Sequence, residues 1–158
     1  SEDIRAAQAL SKNDRQEMIN NMVEGLAAKL KDNPNDLDGW LRLSRSYKVL
    51  GKLEKSKQAL KRAANLAPTR IDLQLELARA LLPKGSPNVN ATAEFKVVVE
   101  RIRRPAPEHP EALFFGGLLA KTEGENSSAR KLWGKLLEKM GPNAPARSII
   151  KNQLKELK

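Results

Sequence analysis

A chain of 158 residues has the length of one domain and can bury a core without disulfide or metal staples. Its 29 Lys and Arg against 19 Asp and Glu leave a net charge of +10, which points to an acidic partner (peptide, lipid surface or nucleic acid) without choosing among them. The lack of Cys excludes disulfides and thiolate metal sites, the single His109 cannot make a histidine cluster, and no apolar run reaches the about 18 residues that span a bilayer. Leu, Ala and Lys dominate, aromatics are 4%, and β-branched residues never alternate with polar ones, so the expected fold class is all-α. The chain opens on Ser1 rather than Met, as expected of a processed form or of a segment of a longer protein.

Residues 1–12 read as an N-terminal segment in which Ile4 to Leu10 could make one or two helical turns. From there to the end, residues 13–158 read as a single helical domain. Its N-terminal helix, 13–33, carries Met18, Ile19, Met22, Val23, Leu26 and Leu30 as a stripe, with Asn13 as N-cap and Gln16 in the reciprocal slot, and stops at Asn33-Pro34. Residues 37–68 then present Trp40, Leu43, Ser44 and Tyr47, a turn at Gly51, and Ser56, Leu60, Ala63 and Pro68. This string resembles the tetratricopeptide (TPR) pattern, with Ser44 for the usual Gly, Ser56 for Ala and Leu60 for Phe. Small residues at 44, 56 and 63 let two antiparallel helices approach, while Trp40, Leu43, Tyr47 and Leu60 fill the space between them.

The unit recurs at 71–107, with Leu77 and Ala78 one 34-residue period after Leu43 and Ser44 and an extended loop at 83–90. A third copy, 110–141, places Leu113, Gly116, Gly117, Ala120, Gly124, Ala129, Trp133 and Leu136 each 73 residues after its counterpart in the first. The last segment, 144–158, offers Pro145 at a helix start and Ile149, Ile150, Leu154 and Leu157 on one face, as a capping helix requires. The expected architecture is therefore a TPR helical-hairpin solenoid of three repeats flanked by N-terminal and C-terminal capping helices, with Trp40, Leu43, Tyr47, Leu60, Ala63, Leu77 and Trp133 as repeat core.

No catalytic constellation stands out. A nucleophile elbow and a phosphate-cradling glycine loop are both missing, and His109 in PAPEHPE reads as a solvated turn residue. The expectation is a binding protein rather than an enzyme, with no metal and no cofactor. The binding face is expected on the first helix of each hairpin, where one position after the pattern Trp, and then i+4 and i+7, share a surface. That rule selects Leu41, Arg45 and Lys48, then Leu75, Arg79 and Leu82, then Phe114, Leu118 and Lys121. Leu followed by Arg at a constant offset suits an amphipathic helix or extended peptide bearing acidic groups. Nucleic acid is not expected, because the basic residues are dispersed among Asp and Glu and exposed aromatics for stacking are scarce.

The strings MVEGLAAKL, NPNDLDGWLRLSRSYKVLG, PEALFFGGLLAKTEG and SARKLWGKLLEKM resemble the periplasmic TPR domain of the CcmI/CycH cytochrome c biogenesis family, to which NrfG-like assembly factors are similar. Ser44 and Lys48 depart from it, standing where Gly and Arg are common. The resemblance implies a membrane-anchored protein on the periplasmic side of the bacterial inner membrane. Its repeat domain would act as a chaperone that binds the C-terminal helix of apocytochrome c and presents it to components of the haem ligation complex. The alternative is a general TPR scaffold docking another protein, with an anionic surface as a further partner class.

Overall fold

The computed structural model describes residues 11–83 and 92–157, and all regular structure in them is helical. Among the described residues eight helices follow one another: α1 (Lys12–Asp32), α2 (Leu37–Val49), α3 (Leu53–Leu66), α4 (Ile71–Leu81), α5 (Ala93–Arg103), α6 (Pro110–Thr122), α7 (Asn126–Lys139) and α8 (Arg147–Glu156). The turn expected in residues 4–10 and most of the loop expected at 83–90 lie outside the described residues. Contacts divide the chain into two compact units, Ser1–Leu66 and Ala67–Lys158.

In the first unit, α1 is capped by Ser11 rather than by Asn13. The Ser11 hydroxyl accepts from the Asp14 amide at 3.2 Å and donates to the Asp14 carboxylate at 2.6 Å, so the reciprocal partner is Asp14 and not Gln16. The α1 stripe is used unevenly, with Val23 and Leu30 buried and Met22 66% exposed. Val23 and Leu30 join Leu43, Tyr47 and Ala59 in one core, with Leu26, Ala27, Trp40 and Leu50 packed against it. Trp40 is thus a wall of this core rather than its centre. It is only half-buried, and its indole N–H donates to the Pro34 carbonyl at 2.8 Å.

Between α2 and α3 the close approach is made by two serines. Ser44 Oγ donates to the Ser56 carbonyl at 3.0 Å and Ser56 Oγ donates to the Ser44 carbonyl at 2.8 Å, both buried. Each hydroxyl occupies a carbonyl of the facing helix, which explains why Ser replaces the smaller residues of the repeat pattern here. Restoring those residues, Ser44→Gly with Ser56→Ala, is expected to cost less than the sum of the two single changes, by about 0.5–1 kcal/mol. Urea melts of the four proteins measure this coupling, and additive values would show the serines to be independent.

The turn after α2 uses Gly51 at φ 71° and the turn after α6 uses Gly124 at φ 78°. At the first, the Lys52 amide donates to the Tyr47 carbonyl at 2.9 Å and the Gly51 amide to Lys48 at 3.1 Å. At the second, the same pair runs from Glu125 to Ala120 and from Gly124 to Lys121, so both hairpins close with a Schellman motif, which favours glycine at the left-handed position.

The second unit is built around α6, whose residues Phe115 to Ala120 are all buried, as a helix apolar on every side must be. Phe115 meets Phe95 of α5 edge-on, with ring centroids 6.2 Å apart. Trp133 of α7 is fully buried and donates its indole N–H to the Phe114 carbonyl at 3.2 Å. The large side chain has changed sides relative to the first hairpin, where the first helix carries Trp40 and the second Leu60. Gly117 makes this possible, because a Cβ there would lie 2.1 Å from Trp133 Nε1. His109 is not a solvated turn residue but the N-cap of α6, its Nδ1 accepting from the Glu111 amide at 3.2 Å. The final helix α8 buries Ile150 and Gln153, and Leu157 is buried just after it, whereas Ile149 is 47% exposed and lies off the apolar face expected for it. Arg147 secures the start of α8 by donating to the Leu137 and Met140 carbonyls, at 2.8 and 3.1 Å, that end α7.

Candidate functional site

The nine residues expected to face a ligand are carried by α2, α4 and α6, and the structure treats them unequally. In the first unit Leu41 is buried, at 8% exposure, so it supports α2 rather than offering an open apolar contact. Arg45 and Lys48 are exposed on the same side of α2, and among the described residues neither side chain forms a hydrogen bond or ion pair. Next to them Val49 is 87% exposed. These three side chains form a small cationic surface with an apolar edge.

In the second unit, Leu75 at 8% and Leu118 at 2% exposure belong to the packing and are withdrawn from the expected apolar strip. The cations there are occupied. Arg79 donates two 2.6 Å hydrogen bonds to the Glu111 carboxylate, a fork-to-fork pairing that ties α4 to α6 and keeps the guanidinium still more firmly protonated. Lys121 donates to Gln153 Oε1 at 2.8 Å and to the Glu156 carboxylate, tying α6 to α8. Of the apolar members of this set Leu82 and Phe114 remain partly exposed, and the Phe114 ring leans on Phe115 at 5.5 Å. The repeated Leu-then-Arg spacing therefore yields a free cation at Arg45 and a structural one at Arg79.

A second cluster of charge in the first unit went unnoticed in the sequence because its members are about thirty residues apart. Glu24 of α1 accepts from Lys55 of α3 at 3.0 Å, lies 3.6 Å from Lys52, and accepts the Tyr47 hydroxyl at 3.3 Å. The Lys55 hydrogen bond holds the Glu24 carboxyl below its usual value of 4.5, and the same bond raises the Lys55 ammonium. Burial, followed by the Glu24 charge, raises the Tyr47 phenol. Both ammonium groups stand over the Tyr47 ring, Lys55 at 5.3 Å and Lys52 at 6.0 Å from its centroid. Because the Glu24 pKa is depressed on folding, its contribution is present above the ordinary value and fades as pH falls through the folded one. Thermal melts below pH 4.5 are expected to show a smaller acid-induced drop for Glu24→Gln than for the parent, and identical slopes would mean that the cluster adds nothing.

Among the described residues no group of three His, Asp or Glu side chains could hold a metal ion, and no helix is long and apolar enough to cross a membrane.

Comparison with known proteins identifies the fold and the family. Two solved structures titled as MamA share the fold: one aligns with TM-score 0.55 at 16% identity over 92% of this chain and 81% of that one, the other with TM-score 0.56 at 17%. The cytochrome c-type biogenesis protein CycH of Rhizobium meliloti (strain 1021) is 50% identical over 57 residues, which are 36% of this chain and 15% of the relative. The cytochrome c-type biogenesis protein CcmH of Escherichia coli (strain K12) is 24% identical over 139 residues, 88% of this chain. The chain spans 39% of the length of that relative. The family model described as the cytochrome c-type biogenesis protein H TPR domain matches residues 4–147, nearly the whole chain, and the protein belongs to this family.

Proposed function

We propose that this domain is an apocytochrome c chaperone. It holds the C-terminal helix of its client on the α2 surface and presents it to the haem ligation machinery, itself catalysing nothing and carrying no cofactor. The reading places the domain on the periplasmic side of the bacterial inner membrane, as part of a membrane-anchored protein. Family membership supports the link to cytochrome c biogenesis. The observation that carries the reading to a site is the unpaired state of Arg45 and Lys48, two exposed cations one helical turn apart that face no carboxylate of their own. A cation held ready without an internal partner gains its charge-assisted hydrogen bonds only from a ligand, and an acidic residue or terminal carboxylate of a docked helix supplies them.

Titration calorimetry with a peptide matching the last helix of an apocytochrome c, and with its scrambled version, tests the proposal. Selective binding of the native order is expected, with most of the energy in a few anchors. Equal heat from both peptides, or none from either, would remove the client and leave a TPR scaffold for a different protein.

A further inference from the structure

Around α2, the side that carries Trp40, Leu43 and Tyr47 is turned from the Arg45 side by roughly 130°, taking about 100° per residue. On that side a cavity of about 500 Å³ opens between α1 and α3, with α2 as its floor. Pockets of this volume, at about 300–1,000 Å³, take a ligand or a large side chain. Leu43, Ala27 and Ala59 give the cavity an apolar base. One wall is the half-buried Trp40, whose ring cannot swing freely because its N–H is held by the Pro34 carbonyl.

The rim decides the charge of an occupant. Its two carboxylates are already engaged, Glu24 by Lys55 at 3.0 Å and Glu54 by Lys57 at 2.7 Å. Lys31 on α1 and Arg62 on α3 also line the opening and, among the described residues, their side chains bond to nothing. The cavity thus combines a fixed aromatic wall and an apolar base with two uncommitted cations on opposite sides.

We infer that this cavity is a second docking site, which takes an aromatic side chain flanked by acidic residues on a peptide segment of a partner protein. The aromatic ring enters against Trp40 and the neighbouring carboxylates meet Lys31 and Arg62. Stacking on a pre-positioned indole supplies the contact, and the charges fix the orientation. The site uses none of the residues assigned to the client helix, so either one can fail while the other stands.

The capped peptide Ac-EEFEE-NH2, titrated into the ¹⁵N-labelled protein, provides the test. The indole N–H of Trp40 is expected to shift, while that of Trp133, fully buried in the other unit, stays in place. Ac-EEAEE-NH2 and Ac-KKFKK-NH2 are expected to leave Trp40 unmoved. Lys31→Glu with Arg62→Glu should weaken binding at least about tenfold through like-charge repulsion. Ala28→Trp, a change at an exposed lining position that fills the cavity without touching the core, should abolish the shift. A Trp40 shift that survives Ala28→Trp, equal shifts from the Lys or Ala peptides, or no shift from any peptide would overturn the site. A shift caused by phosphatidylglycerol vesicles and not by Ac-EEFEE-NH2 would assign the cavity to an anionic membrane instead.

Discussion

Replacing Trp133 with alanine is expected to destabilise the second unit by about 3–5 kcal/mol, the range for emptying a buried aromatic site. The indole is fully buried, and its removal also strips the Phe114 carbonyl of a donor. Since a domain of this size holds only about 5–15 kcal/mol of stability, the change would leave the unit close to unfolding. Urea denaturation followed by helical circular dichroism measures the loss, and a loss below about 1 kcal/mol would mean that the site collapses around the missing ring. The complementary change is Gly117→Ala, whose methyl would meet Trp133 Nε1 at 2.1 Å. Overpacking of this kind costs about 1–3 kcal/mol. It keeps Trp133 as a fluorescent reporter of the second unit, with Trp40 reporting on the first. Gly117→Ala combined with Trp133→Leu should be less harmful than the sum of its parts, because each change makes room for the other.

Reversing both unpaired cations of α2, Arg45→Glu with Lys48→Glu, is expected to weaken binding of an acidic client helix on the order of a hundredfold, since like charges brought together cost several kcal/mol. Both side chains are exposed, so helicity and melting temperature should hardly move. The control is removal of a committed pair, Arg79→Ala with Glu111→Ala. That variant should bind within about twofold of the parent, because its charges answer each other and the pair is exposed enough to be screened by solvent. If the Arg79 variant lost affinity and the Arg45 variant did not, the client would lie on the second unit and the α2 assignment would be wrong.

Most helix boundaries were legible to within a residue or two because punctuation in the chain is strong, whereas α8 begins at Arg147 rather than at 144. Pro34, Pro68 and Pro107 fall in the links between hairpins, and Gly51 and Gly124 adopt the left-handed turn that other residues avoid. The cap of α1 was misplaced because Ser11 and Asn13 are both good caps, and a carboxylate in reach, Asp14, decides between them. Periodicity also identified the face on which Leu41, Leu75 and Leu118 lie. It could not say that these three leucines are covered, because burial depends on which element packs there, and a helical wheel contains no neighbours. The difference between Arg45 and Arg79 was hidden for the same reason. Glu111 reaches Arg79 from 32 residues away, about one repeat, and no local pattern announces it.

In the second unit the closest backbone approaches join helices that follow each other in the chain, α4 with α5, α5 with α6, α6 with α7 and α7 with α8, and the side-chain ties from Arg79 to Glu111 and from Lys121 to Gln153 and Glu156 skip a single helix. Such a pattern makes the sequence distance between touching residues short, and chains of this kind order quickly because little loop entropy is lost before contacts form. Each hairpin can therefore acquire its shape as soon as its own two helices are available, without waiting for the C-terminus. A chain delivered to its destination end first is thus able to fold progressively, and its unfinished apolar surface is at any moment only one hairpin wide.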